Sequence, residues 1–433
     1  MKVVYLAAGA AGMYCGSCLR DNRLGATLIA RGRDFSLVPL YTPIRTDETD
    51  VSESRVFYGG INVFLQQAHS VFRHAPRWMD RILDNRVLLD GLSRFASGTD
   101  PATLGALTVS VLRGEHGAQR KELDKLVAGM QAVKPDVINL ANLMFLGLTR
   151  ALKDALGASV ICTLSGEDIF LDKLPEPHRS AAFELIEQGG RDVDGFVAVT
   201  KYVAGHAANH FSLPPDRIHY ARMGIHVDDF RAAAPPDNPF TIGYLARICP
   251  EKGLAELCEA FALLRKTGRS CRLRVAGYLG ASDRPYFDRV KAYCGEHGIS
   301  DDVDFIGEID RGAKIEFLGQ CHLLSVPATF PESKGLYILE AMAAGVPVVQ
   351  PRIGSFPELI EATQGGLLYD PEGPHSLADA ITKLMDDVSL RKRLAQQGRS
   401  AVRESFTDEQ MADDTWRIYE RCGGRGARPP EPC

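Results

Sequence analysis

A chain of 433 residues, 45% of them hydrophobic, is too long for one core and is expected to split into two or three compact units. The 50 basic and 55 acidic side chains are mixed along the chain and leave a net charge of -5, which excludes the electrostatic footprint of a nucleic-acid binder and favours small-molecule partners. The 10 cysteines are scattered apart from Cys15 and Cys18, so they form neither a disulfide framework nor a zinc set, and a reduced cytoplasm fits them best.

The chain begins with "VVYLA" (3 to 7), an apolar run read as a first strand, followed by the glycine-rich "GMYCGSC" and a helix from about Ser17 to 31. The strand reading is preferred to a secretory signal. Gly9, Gly12 and Gly16 let backbone approach a ligand there, but their spacing is not GxGxxG, so a dinucleotide site is not supported. Strands follow at 34 to 40, 136 to 142, 159 to 165 and 195 to 200, with a helix at 119 to 133. Residues 64 to 118 read as an insertion of extra helices, and its Arg73, His74, Arg77, Trp78 and Arg81 offer packing first and peripheral membrane contact second. No stretch reaches the roughly 20 apolar residues of a membrane span.

The proline-rich "AAAPPDNP" (232 to 239) reads as a linker. Beyond it a second series places strands at 240 to 246, 271 to 277, 303 to 307, 322 to 328 and 346 to 351, and helices at 252 to 267, 284 to 297, 335 to 344 and 376 to 397. Two doubly wound α/β domains in tandem are expected, 1 to 231 and 240 to 404, facing each other across a cleft. A C-terminal helix (405 to 422) would return to the first domain, and 423 to 433 would form a disordered tail.

The chemistry concentrates in "PESKGLYILEAMAAGVPVVQPRIGSFPELI" (331 to 360). A strand, a loop from Pro331 to Lys334 and a helix opened by Gly335 create a helix start with unpaired N-H groups, which suits a phosphate. Glu332 in the loop and Glu340, about 6 to 8 Å further along the helix by its rise per residue, are two carboxylates for sugar hydroxyls. The apolar neighbours of Glu340 demand a partner for it. "GYLARICPEKGL" adds Arg247 and Lys252 as cations for a diphosphate.

The paired glutamates, the run "GLYILEAMAAGVPVV" and the Arg-then-"EKG" segment resemble the retaining nucleotide-sugar glycosyltransferases of family four. "KPDVINL", "TLSGED", "VDGFVAVTKYVA" and "DRIHYARMGIHVDDF" follow in the family's order. The resemblance implies the GT-B fold of two Rossmann-like domains, a UDP-, GDP- or ADP-type sugar donor bound mainly to the second, no metal and no further cofactor, and a hydroxyl acceptor on a saccharide, lipid or small molecule. It implies that Arg247 and Lys252 neutralise the diphosphate, that amides near Gly335 and Leu336 hold its far phosphate, that Glu340 binds the ribose and that Glu332 meets donor-sugar hydroxyls. Lys334, Gly16, Ser165 and Asp168 join the donor-binding set. Where the family usually has histidine this chain has Ser165, and where "NG" is common Met223 precedes Gly224, so those contacts differ or activity is lower.

Rival readings are a sugar phosphorylase or synthase on the same scaffold, a metal-dependent enzyme using Asp192-Val193-Asp194 or Asp302-Val303-Asp304, and a non-catalytic sugar-nucleotide binder or CxxC redox sensor. Both Asp-x-Asp tripeptides lie before strands rather than after them, which disfavours the metal reading.

Overall fold

The computed structural model describes residues 1–9, 15–54, 56, 57, 63, 66, 67, 101–232, 235 and 238–423. Gly12, the stretch from Arg73 to Arg81 and the tail beyond 423 lie outside the described residues. The chain divides into two compact units, Met1–Arg222 with Met411–Cys433, and Met223–Gln410.

In the first unit β1 (Lys2–Ala7), β2 (Asp34–Pro39), β3 (Val137–Leu140), β4 (Ser159–Leu164), β5 (Gly195–Ala198) and β6 (Ile218–Tyr220) form one parallel sheet in the order β2-β1-β3-β4-β5-β6. Among the helices that cover it are α1 (Gly16–Ala30), α2 (Pro101–Leu112), α3 (Arg120–Val133), α4 (Thr149–Leu156), the single turn α5 (Asp168–Leu171), α6 (His178–Gly190) and α7 (Lys201–His210). Apart from the edge strand β6 the strands are buried nearly throughout, which is why β1 beyond Lys2 and β5 read as unbroken apolar runs.

The second unit repeats the plan. β7 (Phe240–Leu245), β8 (Cys271–Ala276), β9 (Val303–Gly307), β10 (Leu323–Leu324), β11 (Val348–Pro351) and β12 (Gly366–Tyr369) run parallel in the order β12-β11-β10-β7-β8-β9. Between them lie α8 (Leu254–Lys266), α9 (Arg284–Glu296), α10 (Arg311–Gly319), α11 (Leu336–Ala343) and α12 (Phe356–Thr363), followed by α13 (Pro374–Asp386), α14 (Val388–Ser405) and α15 (Asp408–Gly423). This is the Rossmann strand order, and its direction reverses between β7 and β10. The core of the unit joins Tyr244, Phe261, Leu273 and Val349. α15 packs in the first unit, where Met411, Trp416 and Tyr419 share a core with Tyr5, Leu24 and Val137.

Three departures from the sequence expectation have physical reasons. The strand expected at 322 to 328 keeps only two residues in the sheet. Ser325 Oγ donates to the Val349 carbonyl at 2.7 Å and Gln350 Oε1 accepts from Val326 N-H at 3.3 Å, so on the β11 side side chains replace the ladder, and Pro327 has no N-H to contribute. The helix expected at 376 to 397 is two helices, because Asp387 leaves helical geometry and its carboxylate caps α14 by accepting from Leu390 N-H at 2.8 Å. The short strands β6 and β12 lie outside the sequence expectation; β6 is an exposed or half-buried edge of three residues with little pattern to read.

Candidate functional site

The reversal between β7 and β10 puts the C-terminal ends of two adjacent strands where a ligand of such a sheet binds. Each end leads through a loop into a helix that opens on glycine. Gly253 precedes α8 at φ 69° and Gly335 precedes α11 at φ 68°, both in the left-handed region that favours glycine. A β-carbon on Gly253 would stand 1.8 Å from the Pro327 carbonyl oxygen, so the two loops touch through bare backbone. Thr329 stitches them further, its N-H donating to the Glu251 carbonyl at 3.1 Å and its hydroxyl to the Pro250 carbonyl at 3.2 Å.

That contact brings Lys252 to Glu332. Lys252 Nζ donates to Glu332 Oε2, Tyr337 Oη donates to the same oxygen at 3.0 Å, and the Lys334 N-H meets Oε1 at 3.3 Å. The ammonium also lies 5.6 Å from the centre of the Tyr337 ring. The Glu332 backbone is clamped by the loop after β11: its carbonyl accepts from Ser355 N-H at 2.8 Å, and Gly354 passes so close that a β-carbon would reach the Glu332 nitrogen at 2.4 Å. Burial alone would raise the Glu332 carboxyl, but the charge and hydrogen bond of Lys252, aided by Lys334, outweigh it and bring the pKa down to about 2.

Glu340 sits on α11 one turn beyond its start, and its partner is Lys314 of α10, whose Nζ donates to Oε1 at 2.5 Å. No side chain caps α11 and no acidic residue occupies its first turn, and a helix start of this kind suits an anion. Arg247, at the end of β7, has its carbonyl held by the Tyr244 hydroxyl at 3.2 Å, while its guanidinium is partly exposed and 3.9 Å from Glu251.

Thus Arg247, Lys252, Glu332, Lys334, Gly335, Leu336 and Glu340 all belong to the second unit, and the structure joins Lys252, Glu332 and Lys334 directly. Gly16, Ser165, Asp168, Cys15 and Cys18 belong to the first unit, and Met223 and Gly224 to the second. Gly16 is the first residue of α1. Ser165, after β4, is held by Glu167, whose two carboxylate oxygens lie 3.1 Å from the Ser165 N-H. Asp168 is buried, with His206 Nε2 of α7 at 3.1 Å. Cys15 is half-buried, and Cys18 is buried and packs in the core. Met223 is buried, and Gly224 is required because a β-carbon would meet the Thr407 carbonyl oxygen at 2.1 Å. The Asp-x-Asp aspartates each face a cation: Asp192 lies with Arg150, Asp194 with Lys153, Asp302 with Arg265 and Asp304 with Arg274.

Sequence reasoning missed Lys314, Tyr337, Gly253 and Gly354. Lys314 left a signal: it shares the buried stripe of α10 with Phe317 and Leu318, three and four residues on, where an unpaired lysine is costly.

Two family models cover most of the chain. Residues 227–401 match Glycosyl transferases group 1, and residues 65–229 match Glycosyltransferase Family 4. The chain belongs to the family 4-like glycosyltransferases of the GT-B fold. It is 29% identical over 203 residues to a glycogen synthase of Mycobacterium tuberculosis, which is 47% of this chain and 47% of that one. The chain spans about half the length of the curated relatives it matches. Among solved structures, it is similar to sucrose-phosphate synthase from Thermosynechococcus elongatus, with a TM-score of 0.70 at 17% identity over 97% of this chain and 98% of that one. It is also similar to Anabaena HepE in complex with UDP-glucose, with a TM-score of 0.66 at 17% identity over 97% and 98%. At that identity both likenesses speak for the fold. Among the described residues no helix is long and apolar enough to cross a membrane.

Proposed function

We propose that the chain transfers a sugar from a nucleotide-diphosphate donor to a hydroxyl acceptor, with retention at the anomeric carbon and without a metal. The observation that carries this reading is the Lys252–Glu332 pair beside the uncapped, glycine-opened start of α11, at the point where the second sheet reverses. Positive groups and unpaired amides at that place suit a diphosphate, and the likeness to a fold that holds UDP-glucose in HepE supports a nucleotide sugar.

Arg247 and Lys252 would neutralise the diphosphate, with the amides of Gly335 and Leu336 and the side chain of Lys334 on its far phosphate. Glu340 would accept the ribose hydroxyls. Glu332, ionised at any working pH because Lys252 holds its pKa at about 2, would accept from the donor sugar. Gly16, Ser165 and Asp168 take further donor contacts on the family resemblance. In the reaction the bond from the anomeric carbon to the phosphate oxygen breaks, the acceptor oxygen bonds the same face, and its proton passes to the departing phosphate. The protein's part is positioning and charge stabilisation.

A thermal-shift screen of UDP, GDP and ADP, followed by transfer assays in EDTA with the product anomer read by NMR, tests the reading. It expects one nucleotide to stabilise the protein and the product to keep the donor's configuration. No stabilisation by any of the three, an inverted product, or activity abolished by EDTA would contradict it. Running the assay with inorganic phosphate as acceptor separates a phosphorylase.

A further inference from the structure

Lys252 has an evident use in meeting a diphosphate; Lys314 does not. It comes from α10, a helix separate from α11 and the loops that carry the other candidates, and it stands on the buried face of that helix. Its side chain is 8% exposed, and that of Glu340 is 14% exposed. Desolvating an ammonium is unfavourable, and an apolar residue would serve the packing of Phe317 and Leu318 better. The helix is anchored so that this lysine returns to one place. Asp310 caps it by accepting from Ala313 N-H at 2.9 Å, and Arg311 binds Asp229 at 2.7 Å.

Resting on the assignment of Glu340 to the ribose, we infer that Lys314 is a positioning residue for nucleoside recognition. By engaging Oε1 of Glu340, it would hold the carboxylate in one rotamer and leave Oε2 to accept from the ribose diol. A glutamate on a helix otherwise samples several staggered conformers, and fixing one before binding removes an entropic cost from the complex. The pair therefore specifies a ribonucleotide, and it does so without touching the diphosphate.

The distinction is measurable, because pyrophosphate carries the diphosphate chemistry and no sugar. Dissociation constants would be determined by calorimetry for the nucleoside diphosphate that stabilises the protein most, its 2′-deoxy and 3′-deoxy analogues, and pyrophosphate. The proteins are wild type, Lys314→Met, Lys314→Arg and Glu340→Gln. Wild type is expected to favour the ribonucleotide over at least one deoxy analogue by about tenfold, the loss typical of one charge-assisted hydrogen bond. Lys314→Met should lose about tenfold for the ribonucleotide, bind the deoxy analogues as wild type does, and keep its affinity for pyrophosphate. Lys314→Arg should restore part of the preference.

The double variant Lys314→Met with Glu340→Gln removes both charges. It should regain the thermal stability that Lys314→Met loses, while remaining unable to discriminate. If Lys314→Met keeps the ribose preference while Glu340→Gln loses it, the inference falls and the ribose assignment stands. Equal losses for pyrophosphate and nucleotide would mean that Lys314 only supports the fold, which also overturns the inference. Should wild type show no ribose preference, or Glu340→Gln keep it, the ribose assignment falls and takes the inference with it.

Discussion

The Glu332–Glu340 segment of the second unit and the Ser165–Asp168 segment of the first both follow a strand, yet their carboxylates meet different kinds of partner. In the second unit each glutamate is held by a lysine from another element, Glu332 by Lys252 and Glu340 by Lys314. In the first, Glu167 turns back onto Ser165, and the aspartates of α5 and its end face histidines of α7: Asp168 lies 3.1 Å from His206 and Asp172 lies 2.9 Å from His210. Lysine keeps its charge across the physiological range and histidine does not. One region is thus a fixed charge array, suited to a ligand of fixed charge, and the other is a titratable one.

Breaking the fixed array should have the largest effect. Lys252→Met leaves a buried carboxylate with its main compensating charge gone, and a destabilisation of about 3–5 kcal/mol is expected from broken pairs of this kind. Urea unfolding would measure it, and nucleotide-induced thermal stabilisation should vanish in the same variant. A loss below about 1 kcal/mol would show that Glu332 is adequately solvated without Lys252.

Gly253→Ala tests the backbone contact that creates this pair. The added methyl would meet the Pro327 oxygen in a conformation alanine disfavours, at an expected cost of about 2–4 kcal/mol. Gly268→Ala is the control: it has a similar φ of 76° with open space around it, and strain alone should cost about 1–2 kcal/mol there. Equal losses at the two positions would deny the loop contact any special part.

The smallest effect sharpens the comparison through pH. The Asp168 carboxylate, 3.1 Å from Nε2, is the main cause that raises the pKa of His206 above its ordinary 6.5, burial opposing it and the charge of Asp172 assisting. Tyr202 and His210 stack on either side of the imidazole, and Arg179 lies 3.8 Å from Asp172. A raised folded value means that the stabilisation is complete below the unfolded pKa and is lost as pH climbs through the folded one. Glu332 has the opposite sign: its contribution is present above the unfolded 4.5 and fades only as pH falls toward about 2. The difference in Tm between wild type and His206→Gln should therefore shrink as pH rises from 6 toward 9, while that between wild type and Lys252→Met stays level. A flat His206 difference would remove the titratable character assigned to the first unit.

What could be read from the sequence follows from the range of the forces involved. Buried parallel strands are apolar runs, so most of the ladder was visible, and a glycine after a strand and before "LYILEAMAAG" marked the helix start. The lysine pairing with Glu340 lies 26 residues away on a separate helix; the need for a partner could be argued locally, but its identity depends on how α10 packs. β10 misled because Ser325 and Gln350 satisfy with side chains what a longer strand would satisfy with backbone. Ser165 stood out only as a departure from a family pattern, and its tie to Glu167 needed the loop geometry.

The most direct measurement is amide hydrogen exchange across 330 to 345 with and without the stabilising nucleoside diphosphate. The account predicts that the amides of Gly335, Leu336 and Tyr337 slow on binding while the end of α11 near Ala343 changes little. Unchanged exchange at those three amides, with nucleotide demonstrably bound, would place the diphosphate elsewhere and contradict the account.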